Sequence, residues 1–408
     1  MSDLSLQLQQ AQSQLPVSSY FDEALHQREN EMLFKNGPRY LGHQLAVPQL
    51  GDFYTLPHEA AGRALVRTPA GIELISNVCR HRQALILQGR GSLNTVQSGS
   101  AGGNIVCPLH RWTYSGSNTN GPMKAGTLIG APHFAQDPCL NLNNYPLQSW
   151  NGLLFEKNPG SRDVALDLAH MGPLADLDFS GHVLDRVEMH VCDYNWKTFI
   201  EVYLEDYHVG PFHPGLGSMV SCEDLRWEFK EHYSVQTVGV ANNRLGKADA
   251  HGDGSGGSPA YTRWQKALLD YSGGVAPKHG AIWLTAYPGI MVEWYPHVLT
   301  VSTLHAISPQ KTMNMVEFYY PEEIAAFERE FVEAQQAAYM ETCVEDDEIA
   351  LRMDAGRKAL IARGDNETGP YQSPMEDGMQ HFHEWYRREM GVSRNSPIAL
   401  PNCLRSFA

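Results

Sequence analysis

Two Cys-His pairs carry the densest chemistry in this chain. Cys79-Arg80-His81 closes one β-prone run and Cys107-Pro108-Leu109-His110 follows another, so the pattern reads C-x-H, 25 residues, then C-x2-H. Two irons bridged by sulfide need two thiolates on one iron, and two neutral imidazoles on the other raise the potential. Two loops, each giving one thiolate and one imidazole, would clamp such a unit from opposite sides. The competing chemistry is a zinc site of two cysteines and two histidines. Zinc sites usually draw both thiolates from a single short turn, whereas each half here mixes its donor types.

A second group lies at Glu201, Glu205, His208 and His213. Tyr194–His208 places Trp196, Phe199, Ile200, Tyr203, Leu204 and Tyr207 at helical spacing, which predicts an amphipathic helix ending near His208. Residues 201, 205 and 208 then share the opposite face. Gly210 and Pro211 stop that helix, and a sharp turn brings His213 back beside His208. The plainer alternative is a solvated helix face followed by a proline-rich loop.

The surrounding elements divide the chain into parts. Residues 5–35 read as helix, closed by Asn36-Gly37-Pro38. From about 40 to 157, short β-prone runs (Gly71–Val78, Gly103–Cys107, Gly152–Glu156) alternate with Gly, Ser, Asn and Pro clusters, the texture of a small all-β domain. Residues 158–185 read as a linker with mixed helix. Beyond it, Leu225–Gly239, Ala281–Tyr295, Val298–Ser308 and Asn314–Tyr320 predict an antiparallel sheet. The segment His251–Pro259 reads as a surface loop by composition. Pro321-Glu322-Glu323 opens a long helix with a buried stripe of Ile324, Phe327, Phe331, Ala334 and Ala338.

Composition narrows the function classes. With 31 Lys+Arg against 46 Asp+Glu the net charge is −15, which repels phosphate backbones and argues against nucleic-acid partners. No apolar run reaches the length of a membrane span, and the first residues carry no secretory pattern. The odd count of seven cysteines suits reduced thiols in a cytoplasmic chain. No G-x-G-x-x-G opens a helix after a strand, so a nicotinamide or flavin site is expected on a separate protein.

NVCRHRQA and CPLHRWTYSGSNTNG resemble the two halves of the motif of Rieske non-haem iron oxygenases, in their terminal (alpha) component. The resemblance runs on through Asn195-Trp196-Lys197, Glu201–Pro214, Glu345–Ile349 with Asp354-Ala355-Gly356, and Gly369–Met390. It implies an α+β chain: residues 1–39 as a helical segment on the catalytic domain, 40–157 as a small all-β Rieske [2Fe–2S] domain, and 158–408 as a helix-grip-like catalytic domain whose antiparallel sheet is flanked by helices. It implies Cys79 and Cys107 on one iron of the cluster and His81 and His110 on the other, with Trp112 covering the cluster or packing in the core. His208 and His213 are the implied ligands of a mononuclear Fe(II), completed by a carboxylate. Asp346 fits the register to Ile349 and Gly356, with Asp347 as runner-up; the remaining acids of that stretch are expected to be helix-surface charge. Two positions depart from the family pattern: Gln83 and Arg111 stand where glycine is usual.

The resemblance also implies a mechanism and partners. Electrons from NAD(P)H reach the cluster through a separate reductase, and in some relatives a ferredoxin. They cross a subunit boundary in a head-to-tail homotrimer by way of a carboxylate, here Glu205, which links a cluster histidine (His110) to His208 of the neighbour. A plain hydrogen bond that orients His208 is the alternative. Asn195 is expected near the iron, with a helix cap as the simpler role. Many relatives that attack aromatic rings have Asp in the place of Glu205, whereas Glu is more typical of relatives acting on quaternary ammonium compounds and of some other monooxygenases. Trp283, Tyr287, Met291, Trp294, Tyr295 and His305 are candidate pocket residues, and such a wall suits an arene or, by cation–π attraction, an ammonium. The expected activity is O₂-dependent hydroxylation or oxidative dealkylation of a small organic molecule. The competing classes are a Rieske electron carrier without oxygen chemistry, a metal-stabilised binding protein, and a regulatory relative without substrate.

Overall fold

The protein was analysed as a computed structural model that describes residues 14–391 except 96–101, 119–122, 135–136, 168–178, 242–257, 276 and 366. Most of the loop expected at His251–Pro259 thus lies outside the described residues. The chain forms two compact units: residues 36–169, and a second that joins the N-terminal residues up to 35 with those from 170 onward.

The 36–169 unit is built from antiparallel strands. β1 (Arg39–His43), β2 (Asp52–Thr55), β3 (Arg63–Thr68), β4 (Gly71–Ser76) and β5 (Arg90–Ser92) are followed by the short β6 (Ile105–Val106), β7 (Thr113–Tyr114), β8 (Leu128–Gly130) and β9 (Asn144–Tyr145). β10 (Leu147–Trp150) and β11 (Leu153–Glu156) close the unit. They pair in the orders β5-β2-β3-β4-β9, β1-β11-β10 and β6-β7-β8. The core gathers Ala64, Val66 and Ile75 with Leu93, Ile105, Trp112 and Tyr114. Both Cys-His segments leave this core. The first follows β4, and the second is the turn joining β6 to β7.

The second unit centres on a seven-stranded antiparallel sheet. Its strands are β12 (His182–Cys192), β13 (Val220–Phe229), β14 (Tyr233–Val240), β15 (Ala281–Ala286), β16 (Ile290–Tyr295), β17 (Val298–Ser308) and β18 (Lys311–Pro321), in the order β12-β18-β17-β16-β15-β14-β13. Two stretches that read as single strands are hairpins, turned at 230–232 and 287–289. Cross-strand partners share a face. The row Gln236, Trp283, Glu293, Thr300 and Phe318 therefore points one way.

Helices gather on that face: α1 (Glu23–Glu29), α2 (Trp196–Tyr203), the single turn α3 (Val209–Phe212), α4 (Pro259–Tyr271), α5 (Glu322–Phe327), α6 (Arg329–Arg363) and α7 (Asp377–Glu389). Leu268 of α4 and Phe331 and Val332 of α6 pack with Trp283 and Phe318. Farther along the same face, Trp196 and Ile200 of α2 and Phe382 and Trp385 of α7 pack with Tyr287, Met291 and Leu304.

Three helical expectations change. The N-terminal helix is shorter and interrupted: a 3-10 turn at Val17–Tyr20, then α1 capped by Asp22, then a π turn at Asn30–Lys35. The long C-terminal helix breaks at Glu328, whose φ −111° and ψ 54° are not helical. That break shifts the phase, so Phe327 is 83% exposed while Ile324, Phe331, Ala334 and Ala338 stay buried. The helix leading to His208 ends at Tyr203, and its predicted solvent face is interior: Glu201 is buried.

Two buried carboxylates fasten these elements. Glu29 accepts from Lys197 Nζ at 2.7 Å, Trp196 Nε1 at 2.9 Å and Tyr386 Oη at 2.5 Å. Glu201 accepts from Arg357 Nη2 at 2.6 Å, bonds His383 Nε2 at 2.8 Å and also accepts from Tyr20 Oη. Burial alone would raise the Glu201 carboxyl, but the Arg357 guanidinium and His383 outweigh it and hold it down at about 2. Lys197 and Glu29 are almost wholly inaccessible, so removing one partner strands a buried charge. Lys197→Met should destabilise the catalytic unit by about 3–5 kcal/mol, read as a lowered melting temperature. An unchanged melting curve would show that this pair does not hold α1 against α2.

Candidate metal centres

The two Cys-His loops are built alike. Cys79 N–H donates to Ala84 O at 2.9 Å and Gln83 N–H to Cys79 O at 3.1 Å. Cys107 N–H donates to Trp112 O at 2.8 Å and Arg111 N–H to Cys107 O at 3.1 Å. Each loop turns through a left-handed residue, Gln83 at φ 54° and Arg111 at φ 61°. These are the two positions where glycine is usual. The turns thus keep a glycine-like conformation with ordinary side chains, at a strain of about 1–2 kcal/mol each.

Between the loops, both cysteines are buried and the imidazoles lie on the outer side, His81 Nδ1 and His110 Nδ1 3.1 Å apart. Tyr114 Oη sits 3.4 Å from Cys79 Sγ and accepts from Arg80 N–H at 3.2 Å. Trp112 is buried and stacks on His81, with centroids 4.9 Å apart and planes 9° apart. Phe134, which sequence reasoning did not single out, packs edge-on against both rings. Donors on a single tetrahedral zinc would crowd together. Among the described residues, the groupings of three donor atoms within 4.8 Å draw on none of these four residues. Two thiolates inside and two Nδ1 atoms outside fit a two-iron unit with a thiolate iron and an imidazole iron.

The second centre is assembled from α3 and α6. His208 is the residue before α3 and His213 the residue after it, so one helical turn brings the two rings together. Pro211 is tolerated because that first turn needs no donor from it. Gly215 then lets the chain pass α4, since a Cβ there would lie 2.4 Å from the Tyr261 ring.

His208 Nε2 and His213 Nε2 are 2.9 Å apart, and Asp346 Oδ1 lies 3.4 Å from the first and 2.9 Å from the second. The far nitrogens are also engaged: His208 Nδ1 meets Glu205 at 2.6 Å and His213 Nδ1 meets Glu345 at 2.6 Å. Glu345 bonds His213 Nδ1 and so fixes that ring's tautomer, while Glu205 lies against the His208 ring as a charge and accepts from the His208 backbone N–H at 3.1 Å. Two Nε2 atoms and a carboxylate oxygen converge on one point, which protons or a metal cation must occupy. The donor set fits a divalent iron with open positions. Without the metal, burial would lower the His208 pKa, but Asp346 and Glu205 raise it to about 10. Burial would raise the Asp346 carboxyl, and the two imidazoles turn it downward.

The acidic stretch on α6 sorts itself by helix phase. Asp346 faces the imidazoles. Asp347 instead bonds His190 and accepts from Tyr194 Oη at 2.7 Å, and with Cys192 these form the other three-donor grouping among the described residues. Glu345 supports His213, so only Glu348, paired with Arg352, is the plain surface charge expected of the rest. Asn195 is not beside the imidazoles. Its Oδ1 caps α2 by accepting from Lys197 N–H at 2.9 Å, and its Nδ2 donates to Tyr20 O and Pro309 O. With its polar atoms so engaged, the simpler role holds.

A cavity opens beside His208, His213 and Asp346. Of the six candidate pocket residues, Trp283 and Tyr295 line it, while Tyr287 and Met291 belong to the core against α7. Trp294 and His305 are not among the lining residues. Sequence reasoning missed Glu293, a carboxylate in the otherwise apolar run IMVEWY.

Comparison with known proteins agrees with this architecture. The family described as "Ring hydroxylating alpha subunit (catalytic domain)" matches residues 178–392, and "Rieske [2Fe-2S] domain" matches 41–145. The chain belongs to this family of oxygenase alpha subunits. It is 62% identical over 392 residues to putrescine 2-hydroxylase of Ralstonia nicotianae, covering 96% of this chain and all of that protein. It is 60% identical to putrescine 2-hydroxylase of Bordetella bronchiseptica, covering 94% and 86%. A solved structure of the quaternary ammonium Rieske monooxygenase CntA with L-carnitine superposes with a TM-score of 0.67 at 16% identity, covering 93% and 96%; that likeness concerns the fold. The chain is therefore an oxidoreductase, a non-haem iron oxygenase that hydroxylates a small substrate. Nothing supports the electron-carrier or binding-protein alternatives.

Asp346→Asn should abolish mononuclear iron while Asp347→Asn keeps it, and Glu345→Gln should weaken Fe(II) about 10–100-fold. Iron analysis and equilibrium Fe(II) titration check this; equal losses at 346 and 347 would contradict the assignment. Because Asp346 and Glu205 raise the pKa of metal-free His208 to about 10, Fe(II) must expel a proton from it. Affinity should fall about tenfold per released proton for each unit the pH drops.

Proposed function

We propose that the chain inserts one oxygen atom from O₂ into an unactivated C–H bond of an aliphatic diamine, putrescine or a close homologue. The observation that carries this is the charge of the cavity. Among the described residues its lining includes Glu205, Asp206, Glu293 and Asp346, and neither Lys nor Arg. With Asp346 and Glu205 committed to the iron site, Asp206 and Glu293 remain, both buried. Two buried carboxyl groups among aromatic walls, which an ammonium would hold in the ionised form, suit a dication of low volume and suit a neutral arene poorly. The substrate named for the two relatives at 60% identity or more supports the same reading.

In this reading Cys79 and Cys107 hold one iron of the cluster, His81 and His110 the other, and His208, His213 and Asp346 hold the mononuclear iron. When bound, these groups supply electron storage and the activation of O₂. The side chains position and insulate. Glu345 fixes the His213 tautomer, and Glu205 holds His208 through its backbone N–H and its charge. Trp283, Tyr203, Tyr295 and Tyr339 wall the substrate from water and present one carbon to the metal. Overall, R–H, O₂, two electrons and two protons give R–OH and water. The electrons come from NAD(P)H through a separate reductase, with or without a ferredoxin.

The same proposal takes the assembly to be a homotrimer in which Glu205 also links the neighbour's His110 to His208, and places the protein in the cytoplasm. The family resemblance supports the first. Supporting the second, the described cysteines are unpaired, and no described helix is long and apolar enough to cross a membrane.

Turnover of putrescine under ¹⁸O₂ with a surrogate reductase should give a mono-hydroxylated diamine carrying a single ¹⁸O, read by mass spectrometry. Absence of product from putrescine and its homologues would refute the diamine reading. Glu205→Gln should keep both metal centres yet slow cluster oxidation in single turnover by about 10²-fold or more; normal single-turnover kinetics would rule out the electron route.

A further inference from the structure

We propose that Glu293 is the substrate anchor: its carboxylate binds one terminal ammonium of the diamine and thereby sets which carbon faces the iron site. The inference rests on the diamine reading above and adds to it the residue that recognises the amine.

Glu293 sits on β16 in the middle of the sheet, 1% exposed. Trp283 and Thr300 flank it on the neighbouring strands, and Tyr295 lies two residues along on the same face. Its Oε1 accepts from Tyr339 Oη at 2.9 Å and its Oε2 from Tyr295 Oη at 3.2 Å. Each carboxylate oxygen can accept twice, so each keeps a free lone pair. Neither partner is a cation, and the charged group that most affects Glu293 is another carboxylate, Asp346. A carboxylate buried without a counter-charge is costly. In a cavity this aromatic, a bound ammonium removes that cost by pairing with the carboxylate. It also lies against ring faces, with Tyr295 itself packed edge-on to Trp264 and Trp283.

Anchoring at one end has a consequence for regiochemistry. A flexible four-carbon chain held only by apolar walls would present several carbons in turn. An ion pair at its terminus leaves one register, and reaction at a fixed distance from the nitrogen follows.

The groups around Glu293 are Tyr295 on its own strand, Tyr203 of α2, and Tyr339, Cys343 and Asp346 of α6. The tyrosines and the thiol stay neutral and Asp346 stays ionised, because burial raises the former and the imidazoles lower the latter. Glu293 is pushed up to about 7 by burial, and Asp206, elsewhere on the cavity wall, to about 6. An arriving ammonium favours the carboxylate, so binding near pH 6.5 should release a proton. The release should fade as the pH rises to 8, where the free enzyme is already ionised.

The test is calorimetry of putrescine and of 1,4-butanediol, an uncharged analogue of the same chain length, on oxidised holoenzyme and on Glu293→Gln. In the variant, putrescine should bind roughly thirtyfold or more weaker, butanediol should not weaken, and proton release should vanish. Cluster absorbance and iron content should match wild type. Putrescine binding within threefold of wild type overturns the anchor, as does an equal loss for both ligands, which would mean that Glu293 only shapes the pocket. Should the variant not fold, Glu293→Asp, which withdraws the carboxylate from the cavity, takes its place, and putrescine binding within threefold of wild type overturns the anchor. If the wild type binds monoamines or quaternary amines in place of diamines and Glu293→Gln abolishes that, the diamine reading fails and the anchor stands. If the wild type binds no amine, both fail.

Discussion

The catalytic unit is organised around one electrostatic constraint: two imidazoles turned nitrogen to nitrogen beside a carboxylate, each pinned from behind by another carboxylate. Glu205 and Glu345 lie against the far nitrogens, and the two Nε2 atoms and Asp346 Oδ1 meet at one point. Such convergence is unfavourable by itself, so the scaffold must impose it. A single helical turn between His208 and His213 fixes the ring separation. The rigid helix α6 delivers Asp346, and Arg357 on that same helix bonds both Thr198 and Glu201 of α2. The buried ion pairs of the second unit thus clamp the helix that leads into the imidazole pair against the helix that carries the carboxylate.

The substrate side follows the same logic with the opposite outcome. Around the metal site the carboxylates have assigned partners, either imidazole or metal. Deeper in the cavity, Glu293 has only hydroxyl partners, and the negative charge left over calls for a cation from outside. An aromatic wall alone would accept an arene or an ammonium. The unpaired charge separates the two, and it moves the expectation from a quaternary ammonium toward a primary diamine, which can both ion-pair and hydrogen-bond with an oxygen.

Much of this was legible in the sequence, for a physical reason. Metal ligation demands donor types at short, fixed spacings, so the Cys-His pairs and the His208–His213 interval can be read without a fold. What depends on phase could not be read. Adjacent residues on a helix differ by about 100°, enough to turn Asp347 from His208 to His190. The break at Leu204 separates Glu201 from Glu205, which an unbroken helix would align, and the break at Glu328 puts Phe327 in solvent. Asn195 took the capping role because it precedes a helix, a local feature that the family resemblance outweighed. Gln83 and Arg111 depart from the glycine usual at those positions, yet both adopt the left-handed conformation the turns require. Glu293 was overlooked because a lone acid in a strand acquires its meaning only from what lies across the cavity.

Mössbauer spectroscopy of protein grown on ⁵⁷Fe tests the central claim most directly. Reduced enzyme should show about three irons per chain: an inequivalent valence-localised pair, and one separate high-spin ferrous site that disappears in His208→Ala while the pair persists. A spectrum holding only the pair in wild type, or a ferrous component untouched by loss of His208, would contradict it.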